Sequence, residues 1–164
     1  MSRSTSDLYD RFADTARVLP PVFQDFGGRL EFSGEVVTLK CFEDNSRLKE
    51  LAATAGKGKV LAVDGGGSMR CALLGDKIAE EAVANGWEGV VIFGCVRDRA
   101  ALRRLPLGVR ALGATPRKSV RLGEGQIQIP VTIAGVRCAP GDVLFADEDG
   151  VLILDGAQAA QLQP

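Results

Sequence analysis

The chain is 164 residues long with 46% hydrophobic and 25% charged content, enough for one domain with a core of its own. Its net charge of -1 and 5% aromatic content exclude a polycation and leave no stacking platform for single-stranded nucleic acid. Histidine is absent, which excludes imidazole bases, His-containing triads and His-ligated zinc; chemistry must run on carboxylates, Lys, Arg, backbone dipoles or a metal.

The N-terminal MSRSTSDLYDRF lacks the apolar run of a signal peptide. Thr5 to Ala16 reads as a short amphipathic helix, capped by Thr5 or Ser6, with Leu8 and Phe12 on one face. Pro20-Pro21 stops it, Gly27-Gly28 marks a turn, and Val36, Val37 and Leu39 suggest a strand running into Cys41-Phe42. Asp44 or Asn45 is placed to cap a helix ending near Ala55. Val60 to Val63 is a compact buried strand, followed by the turn Asp64-Gly65-Gly66-Gly67. Ile78, Ala79, Ala82 and Val83 make a helical stripe from about Asp76 to Asn85, and Gly89 to Phe93 is the next buried strand. Gly94 to Asp98 connects it to a short helix over Arg99 to Leu105. Two strand–loop–helix units in tandem imply a parallel sheet with helices packed on it.

After Gly108 the pattern changes. Short apolar runs at 127–131, 143–145 and 151–154 alternate with Gly, Pro and Asp turns, so the C-terminal third is mostly β. The expected fold is a single α/β domain over residues 1–164, with a central partly parallel sheet, helices and an additional β layer from that third. Cys41, Cys71, Cys95 and Cys138 form no CxxC pair and read as small buried apolar residues. No stretch approaches the roughly 20 apolar residues of a membrane span. A soluble, cytoplasmic protein is expected.

Three constellations could carry chemistry. Gly65-Gly66-Gly67 fails as a dinucleotide fingerprint, because the third glycine of that pattern would fall on Arg70. Gly75-Asp76-Lys77-Ile78 opens the second helix, where unpaired N–H groups and the dipole can bind a carboxylate; the alternative is that Asp76 caps its own helix. Arg97-Asp98 follows a buried strand, offering a planar fork for an anion and a hard oxygen ligand for magnesium or manganese. Its alternative is again a cap, with Asp98 opening the next helix. From Arg97 to Arg121 eight basic residues stand against one acid, a field that attracts a small dicarboxylate, RNA or an acidic partner.

Phe26-Gly27-Gly28, Lys40-Cys41-Phe42-Glu43-Asp44-Asn45, Val63-Asp64-Gly65-Gly66-Gly67-Ser68, Trp87-Glu88-Gly89, Pro140-Gly141-Asp142 and Ala146-Asp147 resemble the RraA-like family. That family includes regulators of ribonuclease activity and class II 4-hydroxy-4-methyl-2-oxoglutarate aldolases. In its aldolase branch an Asp is followed, after twenty residues, by Arg-Asp, and Asp76 with Arg97-Asp98 matches that spacing. The resemblance implies a swivelling β/β/α domain assembled as a homotrimer with interfacial active sites. It also implies that Gly75, Asp76, Lys77 and Ile78 hold a substrate carboxylate, that Arg97 binds substrate oxygens, and that Asp98 anchors a divalent metal, magnesium or manganese. Arg97 and Asp76 are then the expected catalytic residues, Asp76 by positioning a water that takes the 4-hydroxyl proton. The expected reaction is cleavage of 4-hydroxy-4-methyl-2-oxoglutarate to pyruvate through an enolate, with oxaloacetate decarboxylation as a side activity. The alternative is a non-catalytic regulator that binds and inhibits ribonuclease E.

Overall fold

In the computed structural model, which describes residues 3–162, helices and strands alternate along the first two thirds of the chain and strands dominate the last. The order is α1 (Thr5–Arg11), β1 (Arg17–Val18), β2 (Gln24–Asp25), β3 (Phe32–Lys40), α2 (Ser46–Ala52), β4 (Lys59–Asp64), β5 (Ala72–Leu74), α3 (Asp76–Ala84) and β6 (Gly89–Val96). Then follow α4 (Arg99–Leu102), β7 (Gly108–Ala114), β8 (Gln126–Ile127), β9 (Val131–Ile133), β10 (Val136–Cys138), β11 (Val143–Asp147), β12 (Gly150–Leu154) and α5 (Gly156–Ala160). Among the described residues no helix is long and apolar enough to cross a membrane.

The main sheet runs β1-β12-β11-β3-β4-β6-β7-β2, with β5 on the far end of β6 and β8 on β3. Its centre, β3-β4-β6-β7, is parallel, as the tandem strand–helix units require, and antiparallel strands flank it. Period-two alternation divides the core in two. Leu61 and Val63 of β4, with Val90 and Ile92 of β6, face the cluster covered by α2 and α3. Val60, Ala62 and Val91 face the other side, against Val131, Ile133 and Cys138 of the β9–β10 hairpin and Leu144, Ala146, Val151 and Ile153 of β11 and β12. The additional β layer is therefore the hairpin lying on the second face, while β11 and β12 continue the main sheet. Phe145, Leu152 and Leu154, on the opposite face of those two strands, pack with Leu8 of α1.

Several boundaries differ from the sequence expectation. The first helix stops at Arg11 rather than Ala16, and Ser4 caps it, accepting the Asp7 amide. Thr5 is not the cap, because its amide and hydroxyl donate to the Asp147 carboxylate at 2.7 Å each. α2 ends at Ala52 and α4 at Leu102, both shorter than their apolar stripes suggest. β5 and β7 carry no sequence signal strong enough to separate them from loops. The first is three residues long, and the second contains Gly108, Arg110 and Gly113.

Gly108 and its neighbour Gly89 in β6 have one cause. Gly89 and Gly108 pair across β6 and β7, and the buried Phe32 ring lies over both, with the Arg110 guanidinium 5.7 Å from its centroid. A Cβ on either glycine would overlap the ring. Gly108→Ala is accordingly expected to destabilise the fold by about 1–3 kcal/mol through overpacking. The check is a lower urea midpoint at unchanged slope, with a smaller loss when Gly108→Ala is made in a Phe32→Leu background. Equal losses in both backgrounds would remove the ring as the cause.

Candidate active site

β5 and β6 run parallel, and the Arg97 amide donates to the Leu74 carbonyl at 2.9 Å, so the exits of the two strands lie side by side. Gly75 leaves β5 as the N-cap of α3, and Arg97-Asp98 leaves β6. The backbone of Gly75 is extended (φ -125°), so its freedom of conformation is not the point. Space is. A Cβ there would stand 2.7 Å from Asp98 Oδ2 and 3.3 Å from Arg97 Nε.

Asp98 has left-handed backbone geometry (φ 60°), which Asp tolerates better than most residues, and its side chain turns back toward α3. Oδ2 accepts the Asp76 amide at 3.0 Å. Asp98 therefore caps the neighbouring helix rather than its own, since α4 has no side-chain cap. Nor does Asp76 cap α3; it is the first helical residue, and its carboxylate has no hydrogen bond or ion pair to another described residue. The amides of Lys77 and Ile78 likewise have no partner among the described residues, whereas the Asp76 amide of the expected four-residue cradle is already occupied. Arg97 Nε lies 3.9 Å from Asp98 Oδ2.

The opposite wall is a strap at residues 117–124, held to the body at both ends. The Ala72 amide donates to the Arg117 carbonyl and the Val120 amide to the Glu43 carbonyl. Asp44, only 1% exposed, accepts the Ser46 amide and hydroxyl on Oδ1 and the Leu122 and Glu124 amides on Oδ2. Burial pushes the Asp44 carboxyl up, but these four donors outweigh it and hold the group at about 2. Asn45 is also buried; its Nδ2 donates to the Leu73 carbonyl at 3.0 Å, and its Oδ1 accepts Arg121 Nε at 3.1 Å. Glu43 completes the tripeptide, taking a forked pair of 2.7 Å bonds from Arg70 and one from Ser68. These hold its carboxyl down at about 2, the Arg70 bonds foremost.

Between strap and helix lies a cavity of about 590 Å3 lined by Asn45, Ala72, Gly75, Asp76, Lys77, Ile78, Arg97, Lys118, Ser119, Val120 and Arg121. Four cations and one carboxylate line it, and Arg97 is shared with an adjoining pocket that the Asp98 carboxylate lines. A second cavity of the same size lies near Arg29, Glu31, Glu88 and Asp147. There Arg29 is already paired with Glu88 at 2.8 Å and Asp147 with Thr5, so little remains for a ligand. The structure thus brings together every sequence-predicted site residue, Gly75, Asp76, Lys77, Ile78, Arg97 and Asp98. It adds Asn45, Lys118 and Arg121, whose sequence signals were a helix cap and an undifferentiated basic run. The triple-glycine loop is not part of the lining; its Ser68 supports Glu43 instead.

Among the described residues no cluster of three or more carboxylate or thiolate ligands gathers at one point. The oxygen donors on offer are Asp98, whose Oδ1 has no hydrogen bond, and Asp76. A hard-oxygen, ligand-poor set of this kind fits magnesium or manganese retaining most of its shell as water. Thiol ligation does not compete, since all four cysteines are buried and burial pushes Cys41 and Cys138 up to about 12.

A family model described as RraA-like, Aldolase/RraA, matches residues 5–153. The chain belongs to the RraA-like family. A Pseudomonas fluorescens member named "Putative 4-hydroxy-4-methyl-2-oxoglutarate aldolase" is 55% identical over 149 residues, 91% of each chain. The solved RNA-processing inhibitor RraA of Thermus thermophilis superposes with a TM-score of 0.90 at 48% identity, covering 94% of this chain and 93% of its own. A Geobacillus kaustophilus structure described as an S-adenosylmethionine:2-dimethylmenaquinone methyltransferase reaches the same TM-score at 43% identity, covering 93% and 94%. The RraA-like fold therefore carries names of three kinds, and function has to be argued from the site.

The strap yields an acid-stability prediction for this RraA-like chain. Asp44 is held below its ordinary 3.8, so its contribution is complete above about pH 3.8 and is lost as pH falls toward about 2. Asp44→Asn is expected to lower stability at neutral pH by about 1–3 kcal/mol, because amides of the strap lose their acceptor. It should also flatten part of the fall in melting temperature between about pH 4 and pH 2. Melting curves of the two proteins that stay parallel over that range would separate Asp44 from acid stability.

Proposed function

We propose that this protein is a divalent-metal-dependent aldolase that cleaves 4-hydroxy-4-methyl-2-oxoglutarate to two molecules of pyruvate and decarboxylates oxaloacetate as a side reaction. The observation that carries the reading is the convergence of free helix amides, the Arg97 fork and the Asp76 carboxylate on one cavity, with the Asp98 carboxylate bound to the Asp76 amide beside it. A regulator that worked by surface contact alone would have no use for that convergence. The naming of relatives at 50–55% identity supports the same reading.

The chemistry follows from the residues. The Lys77 and Ile78 amides, at the positive end of α3, bind the carboxylate of the 2-oxo acid end. Breaking the C3–C4 bond leaves the electron pair on that end as an enolate, while C4 becomes a carbonyl and releases its hydroxyl proton. Arg97 takes the oxygen on which charge develops, so its contact strengthens as the bond breaks. Asp76, without another partner, orients a water to receive the 4-hydroxyl proton; the enolate then takes a proton at C3 to become pyruvate. Asp98, with Asp76 reaching through water, would hold a magnesium or manganese ion, which supplies Lewis-acid stabilisation of enolate charge. Oxaloacetate loses carbon dioxide to leave the same enolate.

Exposed Val120 and Leu122 beside the cavity, 55% and 72% accessible, support closure by a second copy of the chain in a homotrimer. Ribonuclease E binding is a second reading, favoured by the 48% identical inhibitor and the exposed Arg103, Arg104 and Arg117. It predicts binding that weakens with salt and survives Asp98→Ala.

The deciding experiment is pyruvate release from 4-hydroxy-4-methyl-2-oxoglutarate and from oxaloacetate, with magnesium and with chelator. Turnover is expected only with the ion, and Asp98→Asn should abolish it without changing the melting temperature by more than a degree or so. Full turnover in chelator would overturn the class II mechanism. Arg97→Lys keeps the charge and loses the fork, and is expected to lower kcat by roughly ten- to a hundredfold with a smaller change in KM. Unchanged kcat/KM would reduce Arg97 to general positive field.

A further inference from the structure

The proposed reaction places one substrate carboxylate at the α3 amides, but its substrate has two, and the second has no assigned partner. We propose that Arg121 is the specificity residue for that second carboxylate, held in position by Asn45 on the strap that Asp44 pins. The inference rests on the aldolase reading for the identity of the substrate, and on the strap's own geometry for the residue.

Three observations carry it. First, the cavity has cations on two walls: Lys77 and Arg97 belong to the helix and strand tips, while Lys118 and Arg121 belong to the strap. A ligand with a single anionic end can engage only one wall at a time. Second, Arg121 has no carboxylate partner among the described residues, unlike Arg29, Arg47 and Arg70, each paired at 2.7–2.8 Å. Only its Nε is engaged, by Asn45, leaving both terminal nitrogens open for a forked contact with a carboxylate. Third, Asn45 is fixed from behind. The Leu73 carbonyl can only accept and Arg121 Nε can only donate, so one amide orientation satisfies both. Leu73 lies two residues before Gly75, so the same side chain ties the position of Arg121 to the position of the α3 amides.

This arrangement makes Asn45 and Asp44 positioning residues. Asp44 fixes the backbone on the C-terminal side of Arg121 through the Leu122 and Glu124 amides, and Glu43 fixes the N-terminal side through Val120. A guanidinium so held loses less freedom on binding than one on a free loop.

The test is a selectivity ratio. For the purified chain with saturating magnesium, kcat/KM is measured on 4-hydroxy-4-methyl-2-oxoglutarate and on 4-hydroxy-2-oxopentanoate, which lacks the second carboxylate. Arg121→Gln, a change at an exposed side chain, is expected to lower the ratio of the two at least tenfold, through KM for the dicarboxylate. Asn45→Leu should lower it in the same direction, and Asn45→Asp, which keeps the acceptor for Arg121, should retain more of it. Equal losses on both substrates would overturn the assignment and leave the aldolase reading intact. If the parent cleaves neither substrate, the aldolase reading fails, and calorimetry with 2-oxoglutarate against 2-oxopentanoate decides the subsite alone. Tighter binding of the dicarboxylate that Arg121→Gln erases upholds it; equal binding of the two by the parent overturns it.

Discussion

The site depends on one buried carboxylate. Among the described residues Asp44 has no cationic partner within ion-pair distance, so its charge is tolerable in the interior only while hydrogen-bond donors surround it. Two of those donors are amides of the strap, from residues nearly eighty positions later in the chain. Folding cannot bury Asp44 without bringing residues 122–124 to it, and a strap pinned there must carry Arg121 and Lys118 across the mouth of the helix. The neighbours of Asp44 extend the same logic: Glu43 ties in the glycine-rich loop through Ser68 and Arg70, and Asn45 ties Arg121 to β5. One tripeptide fastens three segments that no regular secondary structure connects.

The other half of the site is a matter of backbone economy at two adjacent strand ends. Parallel strands deliver their carboxyl ends to the same edge, which is where α/β sheets gather ligands. Here the edge is tightened by a glycine and a reversed residue. Gly75 lets Arg97 and Asp98 approach the first turn of α3 more closely than any side chain would permit, and the left-handed turn at Asp98 sends its carboxylate back rather than onward. The carboxylate then occupies the Asp76 amide while the next two amides remain open. A negative group and an anion-binding surface thus sit within one helical turn of each other.

Local sequence signals carry much of this arrangement. Buried parallel strands at 60–63 and 89–93, the helix opening at Gly75 and the turn at Arg97-Asp98 each carry a local signal, and the structure keeps all four. What local signals did not supply was partnership. Asp44, Asn45, Asp76 and Asp98 all stand at helix starts, where short polar residues are expected as caps. Only tertiary structure reveals that Asp98 caps a neighbour, that Asp76 caps nothing, and that Asn45 faces Arg121. Likewise β7 is hidden in the sequence because its Gly108 makes room for the Phe32 ring and its Arg110 is buried, both demands of long-range packing rather than of strand propensity. The strap, lacking any periodicity, could be seen only as a run of positive charge.

The fate of that run bears on what the protein recognises. Taken as a sequence, eight basic residues between Arg97 and Arg121 suggest one broad positive face. The fold disperses them. Arg110 is buried, donating to the Leu30 and Asp147 carbonyls, and Arg99 lies over the Phe26 ring. Arg97, Lys118 and Arg121 converge on the cavity, and the rest remain outside it. A surface that tracked a nucleic-acid backbone would need its cations spread along an exposed groove at phosphate spacing. Cations gathered around a cleft of about 590 Å3, with open helix amides beside them, match a compact anion instead. Three of the eight cations of the run thus face one cavity, where their charge suits a compact anion better than an extended polymer.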